Sequence, residues 1–425
     1  MARCRVTDRP LWRQGRFGRF WGASAVSDLG DRVSELALPM VAILALDASA
    51  PQVAGLTAAA WVPSAAGLVV GTWVDRLRSK RQAMIVADLL RGAAMLSVPL
   101  VFALDSLSLA FLYAVAIVRG LLGVVFGTAA PNFFARLVPR ERYVEANSLT
   151  SGTRSISFVV GPPIAGGLVQ VLTAPVTVLV DGLSFLVSAV LLRTVPVDEP
   201  AAAHDTPEPF LRRIRSGLTY LLRHPYLQHS LRCSTTLNLF SFMVQGVLLV
   251  YAARDLALSA GQIGLALGGG AIGGLVGSVL ASRLTRLIGA GRSILLGCVA
   301  LGLPYAALPL AADLGAAGRL GVLAAVEFVS GFGVMLFDIN NNAIQTVVTH
   351  DSMRSRVSGA YMTINYGIRP VGALLGGWSA AVAGTGTTLV IAAIGGALAA
   401  LWLLPGGIPA IRSADELSAH LPGPA

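Results

Sequence analysis

Four charged residues, Asp28, Asp31, Arg32 and Glu35, share one otherwise apolar stretch at about 20–46. At 100° per residue, a helix gathers all four within about 100° of arc. Such a face cannot look at lipid; it must line a cavity or a neighbouring helix. A carboxylate that moves between an apolar pocket and a guanidinium can bind a proton in one setting and release it in the other. Asp31 and Glu35 lie deepest and head the proton-coupling set, with Asp28 as a third candidate and Arg32 as their neighbour. The competing reading is an ion-paired network that only locks this helix to another. Arg119, well inside a fourth apolar run, adds a guanidinium that keeps its charge at any relevant pH and so needs a carboxylate or water nearby. Asp88 and Arg91, three residues apart, read as a local pair. Asp338, Asn341 and Gln345 in the tenth run, with Asp181 in the sixth, are candidates for substrate contact or an inner gate.

The elements that position these groups are apolar runs long enough to cross a bilayer. Six occur at about 20–46, 53–74, 82–104, 107–134, 147–171 and 174–195, and six more at about 233–253, 262–284, 291–312, 318–346, 357–383 and 386–406. The chain thus divides into a basic leader (1–19), a first six-helix bundle (20–195), a polar linker (196–232), a second bundle (233–406) and a tail (407–425). The start of the linker is rich in Pro and acid, and its second part reads as an amphipathic helix. Only 13% of the 425 residues are charged, about half the share of a typical soluble domain, and 55% are hydrophobic.

The net charge of +10 does not mark a nucleic-acid binder, because the basic residues lie in short clusters between apolar runs. With the N-terminus inside, the inner segments hold 25 Lys and Arg against 2 outside, which puts both termini and the linker in the cytoplasm. Cys4, Cys233 and Cys298 are too scattered for a disulfide framework or a metal site, and all five histidines fall in polar segments. No cofactor is implied. The halves look like a duplication: Gly71 corresponds to Gly277, and Gly166–Gly167 to Gly376–Gly377, at offsets of 206 and 210.

Three segments then carry a resemblance. The loop Gly71-Thr-Trp-Val-Asp75-Arg76-Leu-Arg78-Ser-Lys80-Arg81 resembles the signature loop of the major facilitator superfamily, where it serves as a gate latch. Its counterpart, Gly277 to Arg283, lacks the acid. Arg119-Gly-Leu-Leu-Gly123 resembles the family's R-x-x-x-G motif, whose Arg is tied to proton coupling. Gly152-(x)8-Gly161-Pro162-Pro-Ile-Ala-Gly166-Gly167 is similar to the antiporter motif of its drug:proton exporters, with one glycine missing and one extra residue before the final pair. Physically it predicts a bent, close-packed helix. Leu-Gly-Asp31, Ala-Asp88-Leu-Leu-Arg91, Asp181-Gly-Leu-Ser-Phe185-Leu and Arg356-Val-Ser-Gly are similar to the branch holding macrolide and enterobactin exporters.

The resemblance implies an all-α integral membrane fold of twelve helices in two pseudo-symmetric six-helix bundles. It also implies proton-coupled export of small amphipathic compounds from the cell by alternating access, with substrate, protons and lipid as partners, and with the monomer as the working unit. The alternative is a lipid or solute transporter of the same fold without proton coupling. The chain has no G-x-S-x-G, no H-E-x-x-H and no polar stretch long enough for a folded extramembrane domain, which argues against an enzyme or a receptor.

Overall fold

A computed structural model describes residues 10–196 and 210–413. The expectations placed on residues 1–9, 197–209 and 414–425, including Cys4, His204 and His420, lie outside the described residues. The first set of helices is α1 (Gly15–Ala45), α2 (Ala50–Ala65) continued by α3 (Gly67–Arg76), α4 (Lys80–Ala103), α5 (Leu109–Leu137), α6 (Tyr143–Leu172) and α7 (Ala174–Arg193). A shorter α8 (Phe210–Arg223) stands where the amphipathic linker helix is expected and packs on α9 and α13. The second set is α9 (Pro225–Val250), α10 (Ala260–Ile288), α11 (Ala290–Gly302), α12 (Ala316–Val348), α13 (Arg354–Ala383) and α14 (Thr385–Leu398). α11 and α14 continue as 3-10 turns over Leu303–Ala311 and Ala399–Leu403, and α9 ends in a π turn over Tyr251–Asp255.

Taking α2 and α3 together, these make twelve long segments among the described residues. Nine helices of the described residues are long and apolar enough to cross a membrane, and α2 with α3, bent by 54°, make a tenth. The other two, α1 and α13, fall short by composition because they carry charge in their interiors, at Asp28, Asp31, Arg32 and Glu35 and at Arg369. Large apolar side chains such as Val171, Leu287, Leu310 and Val382 cover the outer surface, as a lipid solvent requires.

The helices sort into two sets. α1 packs on α6 and α7, and α4 on α5 and α7; in the second half α9 packs on α13 and α14, and α12 on α10 and α11. α10 and α12 approach so closely that a Cβ at Gly277 would lie 2.8 Å from the Phe332 carbonyl oxygen, the use of glycine that membrane helices favour. The halves meet through α2 with α13 and α6 with α10.

Local geometry repeats between the halves. Ser49 with Gln52 opens α2 by a capping box, and Ser259 with Gln262 opens α10 by the same device. Each is preceded, two residues earlier, by a non-glycine residue at positive φ: Asp47 at 47° and Ala257 at 50°. The sequence pattern Ser-Ala-x-Gln carried this second repeat marker at the offset of 210 already seen in the Gly-Gly pairs.

One expectation needs correction. α9 begins at Pro225, eight residues before the expected span, so His229 lies inside a helix and not in a polar segment. The helix extends because the His224 Nδ1 accepts from the Tyr226 and Leu227 backbone N–H groups and caps it. α6 is one continuous helix with Pro162 and Pro163 inside it.

Candidate functional site

The charged face of α1 divides between neighbours. Asp31 turns into the first bundle. Arg91 of α4 donates Nη2 to its Oδ1, and Arg119 of α5 donates Nη2 to the same oxygen at 3.0 Å and to the Asp31 carbonyl at 3.2 Å. Three helices are thus tied through one carboxylate. Arg91 is 3% exposed and lies 3.8 Å from the centre of the Phe185 ring. Its Nη1 lies 3.5 Å from Asp88 Oδ1, so the expected local pair exists but is the longer of its two carboxylate contacts. Asp88, buried, accepts from Ser188 of α7 at 2.6 Å.

Asp181 belongs to this same group. It is fully buried on α7, Ser34 of α1 donates its hydroxyl to Oδ2, and Ser184 donates to Oδ1 at 3.2 Å. The guanidiniums of Arg119 and Arg91 lie within electrostatic range of it but form no ion pair with it. Asp181 thus joins the cluster around Asp31, while Asp338, Asn341 and Gln345 lie on α12 of the second half. The cluster comprises three carboxylates (Asp31, Asp88, Asp181), two guanidiniums and three hydroxyls on α1, α4, α5 and α7. Opposite charges pair, and the remaining lone pairs take hydroxyl donors, as buried ionic groups demand.

Glu35 and Arg32 take a different course. Arg32 donates to Glu35 at 2.6 Å, and the Glu35 side chain is 47% exposed, against 25% for Asp31. Arg32 instead packs against α6: it stacks on Phe158 at 5.3 Å, and Gly161 lies so close that a Cβ there would meet Arg32 Cβ. Asp28 faces Arg154 at 3.9 Å. An arc of 100° is wide enough for Asp31 and Arg32, at its two edges, to serve different helix contacts.

The loop after α3 is built by Lys80. Its Nζ donates to the carbonyls of Val74, Asp75 and Leu77 at 2.6, 2.8 and 3.0 Å, closing the end of α3. Arg81 donates to the Val195 carbonyl at 2.5 Å, Arg76 and Arg78 are exposed, and Gly71 packs on Thr128. Asp75 accepts from the Asn132 amide of α5 at 3.2 Å. Among the described residues it forms no ion pair. Of the antiporter-like glycines, Gly161 and Gly166 make close approaches, while Gly152 and Gly167 face open space.

Polar contacts between the halves gather at the end opposite this loop. Arg254 pairs with Asp47 at 2.5 Å, and the Gln170 side-chain oxygen accepts from Ser259 at 3.2 Å and from the Gly261 N–H at 3.1 Å.

The second half carries a ladder of uncharged polar groups. The Asn341 Oδ1 accepts from Ser230 at 2.7 Å and from Tyr226 at 3.2 Å, its amide donates to the Tyr361 hydroxyl, and Gln345 donates to Ser230 at 3.0 Å. One turn along, the Asn365 Oδ1 accepts from Ser234 and Asn238, both at 3.1 Å, and Arg369 donates Nε to Asn238 at 3.1 Å. Asp338 stands apart, exposed on α12 and within electrostatic range of Arg369. The sequence reading missed Asn238, Asn365, Tyr361 and Ser34; the period of four in Ser230, Ser234 and Asn238 was the available signal. It also missed that Cys233 and Cys298, buried on α9 and α11, lie with sulfurs 3.5 Å apart.

A bundle of this kind, with buried charge in one half and an amide ladder in the other, is a multi-pass membrane transporter. The chain belongs to the major facilitator family of transmembrane secretion effectors, whose model matches residues 9–425. It is 28% identical over 352 residues to the multidrug efflux pump Tap of Mycobacterium tuberculosis, covering 79% of this chain and 80% of that one. Tap of Mycolicibacterium fortuitum is 26% identical over 326 residues, covering 73% and 76%. The fold is that of the nucleoside transporter NupG (TM-score 0.76, 11% identity, 92% of this chain and 98% of that one). It is also that of a bacterial homologue of the iron transporter ferroportin (TM-score 0.71, 17% identity, 92% and 98%).

Proposed function

We propose that this transporter exports small amphipathic organic compounds from the cell in exchange for protons. The observation that carries the reading is the cluster around Asp31, in which two carboxylates, Asp31 and Asp88, take the two guanidiniums and a third, Asp181, has only hydroxyl partners. Three negative groups beside two positive ones in an apolar bundle favour retention of one proton. Any movement of Arg91 or Arg119 relative to Asp31 changes which carboxylate holds it. Asp31 is the central proton-coupling residue, and Asp88 and Asp181 complete the unit; Glu35, Asp28 and Arg32 tune it from the rim of α1. Similarity to efflux pumps supports export. The 25-to-2 distribution of basic residues supports a cytoplasmic loop at Asp75–Arg81, acting as part of the inner latch, and cytoplasmic termini. The second half supplies cargo contacts, and the single chain is the working unit.

The test is drug efflux from membrane vesicles under an imposed pH gradient, with proton movement followed by a pH-sensitive dye. Cargo-dependent proton flux that disappears in Asp31→Asn supports the reading. Efflux that continues when the gradient is collapsed overturns proton coupling and leaves the uncoupled alternative.

A further inference from the structure

Arg369 has no carboxylate partner. It lies midway along α13, and among the described residues it forms no ion pair. Its single hydrogen bond to the described residues is the one from Nε to Asn238. A guanidinium has five N–H donors in a planar fork, so both Nη groups are left unused by protein. Neither is a buried orphan; the side chain is only half-buried, so the free edge of the fork opens onto accessible space.

Aromatic rings hold the fork in place. The guanidinium carbon lies 4.2 Å from the centre of Tyr366, 4.4 Å from Trp61 and 4.9 Å from Phe242. Trp61 itself meets Phe242 edge-on at 5.2 Å. Trp61 comes from α2 in the first half; the other three residues come from the second. The arrangement therefore sits on the seam between the halves, about midway along the helices, where transporters of this architecture place their cargo. Cation–π contacts stabilise the charge without satisfying the N–H donors.

We infer that Arg369 and its three aromatic neighbours form a binding site for the carboxylate of an apolar, ring-bearing cargo. Two coplanar carboxylate oxygens match the two Nη donors, and the rings accept the adjoining apolar body. Asn238 orients the fork through Nε. Asp338, on the facing helix, disfavours a second negative charge, which selects monoanions over dianions. The inference deepens the export reading by naming a cargo class and rests on it for the direction of movement.

The test compares 1-pyrenebutyric acid with its amide, an apolar ring system with and without the charge, for binding to the purified full chain by fluorescence at neutral pH. The acid should bind about tenfold more tightly than the amide. Arg369→Gln should abolish that preference by weakening acid binding far more than amide binding, with an unchanged thermal melt showing that the variant is folded. Arg369→Lys, which keeps the charge but not the fork, should retain only part of the preference. Equal affinity for acid and amide in the native protein overturns the inference, as does an equal loss of both in Arg369→Gln. If the preference is present but vesicles show no gradient-driven efflux, the site stands and the export reading fails. If efflux of other compounds is robust and the preference is absent, the reverse holds.

Discussion

Thr173 and Gly384 hold the same bend in the two halves, about 210 positions apart, with φ 77° and ψ 157° against φ 86° and ψ 158°. Each joins the fifth helix of its half to the sixth. The region is one that glycine enters freely and a β-branched residue enters at a cost. Thr173→Gly should therefore raise the thermal stability of the detergent-solubilised protein, by about 1 kcal/mol after the entropy of the added glycine. An unchanged or lower melting temperature would refute this account of the bend.

The seam at the end opposite the Lys80 loop depends on Gly166 and Gly264. A Cβ added at either would lie 2.9 Å from the Cα of the other. Gly264→Ala should push α6 and α10 apart and disfavour the arrangement described. Cysteines placed at Asp47 and Arg254, which now pair across the seam, should then crosslink severalfold less than they do with Gly264 intact, in a background lacking the native cysteines. Undiminished crosslinking would show that the seam tolerates the methyl group.

Asp31 and Glu35 should behave differently. Asp31→Asn removes the group that two guanidiniums share, leaving Arg91 and Arg119 short of charge; coupled efflux should fall by at least about tenfold. Glu35 is paired with Arg32 at a half-exposed position, so Glu35→Gln should change efflux less than about twofold. Equal losses in the two variants would restore the single-face reading of α1.

Ser34 and Ser188 are the hydroxyls on which Asp181 and Asp88 rely. Ser34→Ala should cost about 1–3 kcal/mol, because a buried carboxylate oxygen loses its donor. Adding Asp181→Leu should recover much of that loss, since removing both partners leaves nothing unsatisfied. If the double variant is less stable than Ser34→Ala, the pair contributes something other than mutual satisfaction.

His224 gives a pH dependence outside the spans. Burial holds its imidazole below the ordinary value of 6.5, and the neutral Nδ1 is the acceptor that caps α9. A depressed histidine binds fewer protons folded than unfolded. Its contribution is therefore full above about 6.5 and declines as pH falls from there toward the folded value. His224→Asn keeps a capping acceptor and should flatten the stability profile below pH 6.5 in thermal melts. A slope of unchanged size would assign the effect to another group.

Much of the architecture was legible because a bilayer leaves few options. Twelve apolar runs and a one-sided charge distribution are strong signals, and the helices fall where those runs lie. The site was legible only in part. Asp31, Arg119 and Asp181 stood out as charges in apolar surroundings, but spacing reports neighbours on one helix alone. That is why Arg91 read as the partner of Asp88, whereas it also reaches Asp31, 60 positions away. Arg369 gave no signal beyond its charge, because its partners are rings on three helices and rings in an apolar chain carry no signature. The start of α9 was misplaced because a histidine cap extends the helix into a stretch that looks polar.

Lys80, the sole lysine of the chain, buries its amine under three backbone carbonyls. Amine-directed reagents therefore meet almost no target on the side chains of this protein. A lysine label that does attach at residue 80 would report the loosening of the α3 terminus, so a routine acylating dye becomes a site-specific sensor of that loop with no engineered residue.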